Sequence, residues 1–271
     1  PVAGMRERDP RNGVKELIAR NLSTIPHLGQ MIARPGWLYS FFQDGGLMNF
    51  PNIVIADGPM GYADVGAALE QSMVSWDDFR WIRDWGFDFV RLPMCYTLWV
   101  ERDDPFRISD AGLAPVDRAI ELGRKYGLHV SLNFYRAPGY SVNRERQEPF
   151  NLWKDARALE AFCLHWETFA RRYKGIPSAR VSFDLVNEPP APKPDEMTRD
   201  DHRRVIAAAT AAIRAVDPER RIVADGVAWG HEASPELADL GVAQSCRAYK
   251  PFQLTHYKAS WVNSEGWPEP V

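Results

Sequence analysis

A chain of 271 residues, 45% hydrophobic and 25% charged, can bury a large core and matches the size of one (β/α)8 barrel. Its formal net charge of −3 gives no electrostatic reason to expect nucleic acid or an anionic membrane surface as partner. No apolar run is long enough to span a bilayer. The three scattered cysteines, Cys95, Cys163 and Cys246, form neither a disulfide framework nor a zinc spacing, which favours a reducing, cytoplasmic setting.

The sequence opens on Pro1 with no charged-then-apolar leader, so no signal peptide is visible, although one could lie upstream of a cut end. Val14, Leu17, Ile18 and Leu22 share one face of a predicted amphipathic helix. Residues 26–72 hold many glycines and prolines and no strand series. Ser75–Ile82 predicts a capped helix. From there, short apolar runs alternate with amphipathic stretches, the pattern of a parallel sheet wrapped by helices. Strands are expected at Phe87–Leu92, Leu128–Phe134, Arg180–Val186, Arg221–Asp225 and Pro251–His256. Helices are expected at Val116–Tyr126, Asp155–Tyr173 and Asp200–Ala215. The count is five strands, where a closed barrel has eight. The sequence closes on Trp267-Pro268-Glu269-Pro270-Val271 with no final helix, and this end also reads as cut.

Barrel enzymes place their chemistry where strands end and loops begin. Glu188 stands there, after the apolar run to Val186 and before Pro189-Pro190, which stop the ladder. On a period of two, Ser182, Asp184, Val186 and Glu188 share a face, so an inward face would carry Glu188 to the barrel mouth. A partly desolvated carboxylic acid there can protonate a leaving glycosidic oxygen, and Asn187 beside it could hydrogen-bond a sugar 2-hydroxyl. From spacing alone, a solvated glutamate at a loop start fits as well.

Residues from about 84 to 271 resemble glycoside hydrolase family 5, the cellulase and mannanase superfamily. The resemblance is carried by Asn187-Glu188-Pro189 after an apolar strand and by Gly86-Phe87-Asp88-Phe89-Val90-Arg91-Leu92-Pro93. Tyr135-Arg136-Ala137-Pro138-Gly139 and His256-Tyr257 add to it. It implies a TIM-barrel fold and retaining hydrolysis of a β-glucan or related chain, without cofactor. It makes Glu188 the acid/base, Arg91 the arginine beside the nucleophilic carboxylate, Asn187 a supporting residue and His256 the histidine closing the sixth strand. Tyr135, where the family usually has histidine, and Tyr257 become substrate contacts. Lys258 stands where an aromatic is common. The nucleophile is expected after a seventh strand. Glu265 and Glu269 lack an apolar strand before them and are poor candidates for it. Asp225 reads as a structural or subsite residue, and Asp184 as a buried partner for an inward cation or hydroxyl.

Trp99, Tyr140, Trp229, Trp261 and Trp267 near strand ends could offer flat faces to sugar rings, and ordinary loop packing explains each as well. Residues 1–85 resemble instead an internal piece of the FMN-dependent α-hydroxy-acid dehydrogenases. Pro1-Val2-Ala3-Gly4-Met5-Arg6 and Arg34-Pro35-Gly36-Trp37-Leu38 carry that likeness. Arg6 would then match a substrate-carboxylate ligand, but a surface charge among Glu7, Arg8 and Arg11 is favoured for it. The combined expectation is a chimera joined near Trp81–Gly86, with 1–85 dehydrogenase-like and 86–271 hydrolase-like. The fold is an incomplete α/β barrel of about five parallel strands, able to self-associate through open edges. Its partner is a carbohydrate, with no nucleic acid and no membrane. An FMN-dependent 2-hydroxy-acid (lactate) dehydrogenase fragment and a non-catalytic barrel fragment are the alternatives.

Overall fold

The structure is a computed structural model that describes residues 76–84, 87–142, 148–247, 249–257 and 262–268. The expected helix at Val14–Leu22, and Arg6, Lys258, Trp261 and Glu269, lie outside the described residues. Those described divide between two compact units, one within Pro1–Phe87 and Tyr249–Val271, the other Asp88–Ala248.

The second unit is a sheet with helices between its parallel strands. Its strands are β1 (Phe89–Cys95), β2 (His129–Ala137), β3 (Tyr140–Ser141), β4 (Val181–Asp184), β5 (Ile222–Asp225) and β6 (Ala243–Ser245). The order is β1-β2-β4-β5-β6, each neighbouring pair parallel, with the two-residue β3 folded back antiparallel on β2. Within the first unit, α1 (Trp76–Asp84) forms where the sequence predicts it.

Local signals fix the helices of the sheet unit. Ser109 caps α2 (Asp110–Tyr126), its Oγ accepting from the Gly112 N–H at 3.4 Å, and Asp110 adds negative charge to the first turn. Gly127 ends it in the left-handed region at φ 70°. This helix begins six residues before the expected Val116 and carries Gly112 and Pro115 within it. The next, α3 (Ala156–Arg172), puts Phe162, Trp166 and Phe169 on its buried face. Thr198 and Asp201 form a reciprocal capping box at the start of α4 (Arg199–Val216): the Asp201 N–H donates to Thr198 Oγ1 at 3.1 Å and the Thr198 N–H to Asp201 Oδ2 at 2.9 Å.

The two faces of the sheet differ. One is an aromatic core in which Phe134 of β2 meets Trp166 edge-on at 4.7 Å between centroids and Phe183 of β4 lies 5.1 Å from Trp166. Burying each such ring contributes about 1.5–3 kcal/mol. The opposite face is polar. Register pairs Arg91 with Ser131, Ser131 with Ser182, Asn133 with Asp184, Asp184 with Val223 and Asp225 with Ser245, so these positions stand on one side. Ser182 Oγ donates to Ser131 Oγ at 3.0 Å, and Asn133 Nδ2 donates to the Asp184 carbonyl at 3.1 Å.

Four expected strands form with small shifts at their ends, and the fifth does not. Pro251–His256 contains a one-turn helix, α5 (Phe252–Thr255), in the first unit. Phe252 and Leu254 imitate strand alternation in sequence, but they are 37% and 55% exposed, so no buried sheet face draws them into a strand. The fifth parallel strand is the three-residue β6 instead.

Candidate active site

The site lies where β4 runs out. Past Asp184 the chain keeps its neighbours: the Leu185 N–H donates to the Val223 carbonyl at 3.0 Å and the Asn187 N–H to the Phe134 carbonyl at 2.8 Å. Alternation then breaks. Glu188 adopts φ 50°, the left-handed region uncommon for a residue with a side chain. Two contacts hold it there. Its N–H donates to Asp225 Oδ2 at 2.9 Å, and the Tyr140 hydroxyl donates to its carbonyl at 2.5 Å.

Arg91 and Asn187 come together beneath it. Arg91 Nε donates to Asp184 Oδ2 and its Nη2 to Asn187 Oδ1, both at 2.8 Å, and the same guanidinium lies 3.6 Å from Asp225. Asp184 therefore has the inward cation expected for it. Burial, reinforced by the neighbouring Asp225 and opposed by Arg91 and Arg247, pushes its carboxyl up to about 6. Its second oxygen is buried without a hydrogen-bond partner, which fits a carboxyl that holds a proton more readily than an exposed one. Asn187 is buried, and its carbonyl oxygen is taken by arginines, so any contact with a sugar falls to its amide N–H groups.

One residue of the cluster went unread in the sequence. Arg247 lies two residues beyond Ser245 of β6, on the polar face by alternation. Its Nε donates to Glu188 Oε1 at 3.2 Å, Nη1 to Ser245 Oγ at 2.7 Å and Nη2 to Asn187 Oδ1 at 3.3 Å; Nη2 also pairs with Asp225. β6 has no buried apolar side chain, so neither apolar run nor periodicity marks this strand.

The aromatic candidates separate. Trp229 is 40% exposed and sits in a left-handed turn, Val227–Gly230. That turn is stitched to the segment after Glu188, with the Trp229 N–H on the Pro189 carbonyl at 2.9 Å and the Ala228 N–H on the Pro190 carbonyl at 3.2 Å. Tyr135 is buried. Trp99 is 1% exposed and packs in the core, which corrects its candidacy as a sugar platform: its indole N–H is spent on His165 Nδ1 at 2.9 Å. Tyr140 stands edge-on to Trp153 at 5.2 Å.

His256, Tyr257, Glu265 and Trp267 belong to the first unit. There His256 closes α5 rather than a strand, stacks on Phe252 at 3.9 Å and is bonded through Nδ1 to Thr255 Oγ1 at 2.8 Å, while Trp267 meets Phe252 edge-on. The strand expected to end at His256 is thus absent, and His256 follows a one-turn helix instead. Among the described residues, no group of three or more His, Cys, Asp or Glu is arranged to hold a metal ion, and no helix is long and apolar enough to cross a membrane.

A parallel α/β sheet with an acid and its arginines at the carboxyl ends of the strands defines a barrel-type α/β enzyme scaffold. Residues 69–264 match the cellulase family, glycosyl hydrolase family 5, and the chain belongs to it. Cellodextrinase A of Ruminococcus flavefaciens is 29% identical over 211 residues, 76% of this chain and 60% of that protein. Endoglucanase C of Acetivibrio thermocellus is 29% identical over 191 residues, 69% of this chain and 53% of its own length. Among solved structures, a glycoside hydrolase superposes with a TM-score of 0.70 at 43% identity, covering 73% of this chain and 60% of the other. Endoglucanase Cel5A from the hyperthermophilic Thermotoga maritima gives 0.59 at 27% identity, covering 72% and 60%. The chain thus spans little more than half the length of the curated relatives it matches. The family match begins at residue 69, upstream of the join expected near Trp81–Gly86.

Proposed function

We propose that the protein hydrolyses β-glycosidic bonds of a β-glucan or a related oligosaccharide with retention, and that Glu188 is its general acid/base. The observation that carries this reading is the placement of Glu188. Its carboxylate is 15% exposed at the end of β4, its backbone is fixed by Asp225 and Tyr140, and an arginine is bonded to one of its oxygens. A retaining enzyme needs a second carboxylate about 5–5.5 Å from the first. The family resemblance assigns that nucleophile to the seventh strand of the barrel. In the first step the acid/base protonates the leaving oxygen; in the second it takes a proton from the attacking water. Arg91 and Asn187 support the site from below, and Trp229, 40% exposed, sits in the turn bonded to the segment after Glu188. Tyr135 and Tyr257 as substrate contacts and His256 as a supporting catalytic residue rest on the resemblance alone, and Trp261 as a substrate contact rests on its place near a strand end in the sequence. Family membership calls for no cofactor.

The names of the relatives support a β-glucan as the substrate class: a cellodextrinase and endoglucanases. The test is turnover of an aryl β-cellobioside by the full chain and by Glu188→Gln. Loss of general acid–base catalysis lowers kcat by about 10²–10⁴-fold. Added azide, which needs no general base, should restore turnover on a substrate with a good leaving group and yield a β-glycosyl azide. Equal turnover in the variant rejects Glu188 as acid/base.

A further inference from the structure

We propose that Arg247 is a positioning residue for Glu188, an inference that rests on the reading of Glu188 as the acid/base. Its guanidinium touches all three side chains that close the mouth of β4 and β5: Glu188 Oε1 at 3.2 Å, Asn187 Oδ1 at 3.3 Å and the Asp225 carboxylate. Arg91 binds the lower half of the same cluster, Asp184, Asn187 and Asp225. The two arginines divide the work. Arg91 neutralises the buried layer, and Arg247 joins that layer to the carboxylate at the mouth.

The need for such a tether follows from the backbone. Glu188 is held in a left-handed conformation by bonds to its N–H and its carbonyl, and neither bond constrains χ1–χ3. A glutamate side chain has three rotatable bonds, so a fixed main chain still allows its carboxylate to sweep several ångströms. The Nε donor of Arg247 removes that freedom. The arginine is itself held at both ends. Its head is bonded to Ser245 Oγ at 2.7 Å, and its main-chain N–H donates to the Gly230 carbonyl at 2.9 Å.

Gly230 also makes room for its stem. A Cβ built on Gly230 would lie 2.6 Å from Arg247 Cγ, closer than real carbon contacts come, and Gly230 has φ +82°. The turn that exposes Trp229 is therefore the turn that seats Arg247. Planar, multi-donor contact with a carboxylate and an amide at once is something guanidinium does and ammonium does not.

The experiment uses the full chain. In Arg247→Lys, which keeps the charge and loses the fork, kcat should fall about a hundredfold while KM stays within about twofold, the effect of misplacing a reacting group by about an ångström. Gly230→Ala, which leaves the guanidinium intact and crowds its stem, should move kcat in the same direction. Guanidinium chloride should partly restore Arg247→Ala and leave Glu188→Gln unaffected. A kcat that changes only in step with the folded fraction overturns the proposal. A second readout does not depend on turnover: the Arg247 Nε–H signal in ¹⁵N NMR, assigned by its loss in Arg247→Lys, should move in Glu188→Gln. If Glu188→Gln turns over as fast as wild type and this signal still moves, the tether stands and the acid/base reading falls. If the signal does not move, the tether falls whatever the activity.

Discussion

Acid stability offers a direct test of the core that backs the site. His165 lies on α3 beneath the end of β2, fully buried, with its ring edge-on to Phe134 at 5.9 Å and to Trp99 at 6.0 Å. Its Nδ1 accepts the Trp99 indole N–H, so the ring is neutral and carries its proton on Nε2, which has no hydrogen-bond partner of good geometry. Burial lowers its pKa from 6.5 to about 4, opposed only in part by the Pro105 carbonyl. The direction of the effect follows. In the unfolded chain the imidazole takes up a proton below pH 6.5, while the folded protein holds it off until about pH 4. The contribution of His165 is full above the unfolded value and is lost as pH falls. Linkage makes the loss about 2 kcal/mol at pH 5 and about 3 kcal/mol at pH 4. His165→Gln keeps an oxygen acceptor for Trp99 and cannot titrate. Urea denaturation followed by tryptophan fluorescence, from about pH 7.5 down to about pH 4.5, should show wild type losing about 2.5 kcal/mol more than the variant over that range. Curves that run parallel within about 0.5 kcal/mol would refute the argument, because the ring would then be protonated without cost or wet in the folded state.

Asp184 should act in the opposite direction. Its carboxyl is raised by burial and by Asp225, so its contribution is full below its unfolded value and is lost as pH rises through about 6. Asp184→Asn should remove that falling component between about pH 4 and about pH 6 in the same denaturation series, and an unchanged slope would show that Asp184 ionises normally. Gly139 turns β2 into β3 at φ +84°, and a Cβ placed on it would lie only 2.6 Å from the Leu152 nitrogen, whereas Gly175 at φ +91° faces open space. Both alanine variants carry a left-handed penalty of about 1–2 kcal/mol. Gly139→Ala should lower Tm clearly further than Gly175→Ala, and equal shifts would mean that the loop before α3 yields freely.

The repeating order of strand and helix was legible because it rests on local signals. Phe183 announces β4 by hydrophobicity, and Val205, Ile206 and Ile213 announce α4 by their helical spacing. Glu188 was legible as a position because Pro189-Pro190 end the strand behind it. Its left-handed backbone was not, since that conformation is imposed by Asp225 and Tyr140, which lie 37 and 48 residues away. Between packing and a sugar platform, the place of Trp99 stayed open for a related reason. A tryptophan at a strand end looks the same in sequence whether it faces a ligand or a buried histidine, and its partner is 66 residues away.

Arg247 marks the limit of sequence reasoning most clearly. A strand is recognised by what it buries, and the side chains of β6 are exposed or half-exposed throughout. Its place in the sheet comes from backbone pairing with β5, Val223 to Ala243 and Asp225 to Ser245, a non-local contact that no composition window registers. Once that register is known, alternation alone carries Arg247 to the face that holds Arg91, Asp184 and Asp225. The polar face is therefore a product of register: each of its charged groups is unremarkable in its own segment, and each becomes tolerable inside the fold only when the neighbouring strands deliver its counter-charge. Asp225 shows this directly. Fully buried, it is matched by the Glu188 N–H from β4's end and by arginines that follow β6 and lie on β1, so three separate segments must be in place before its charge is satisfied.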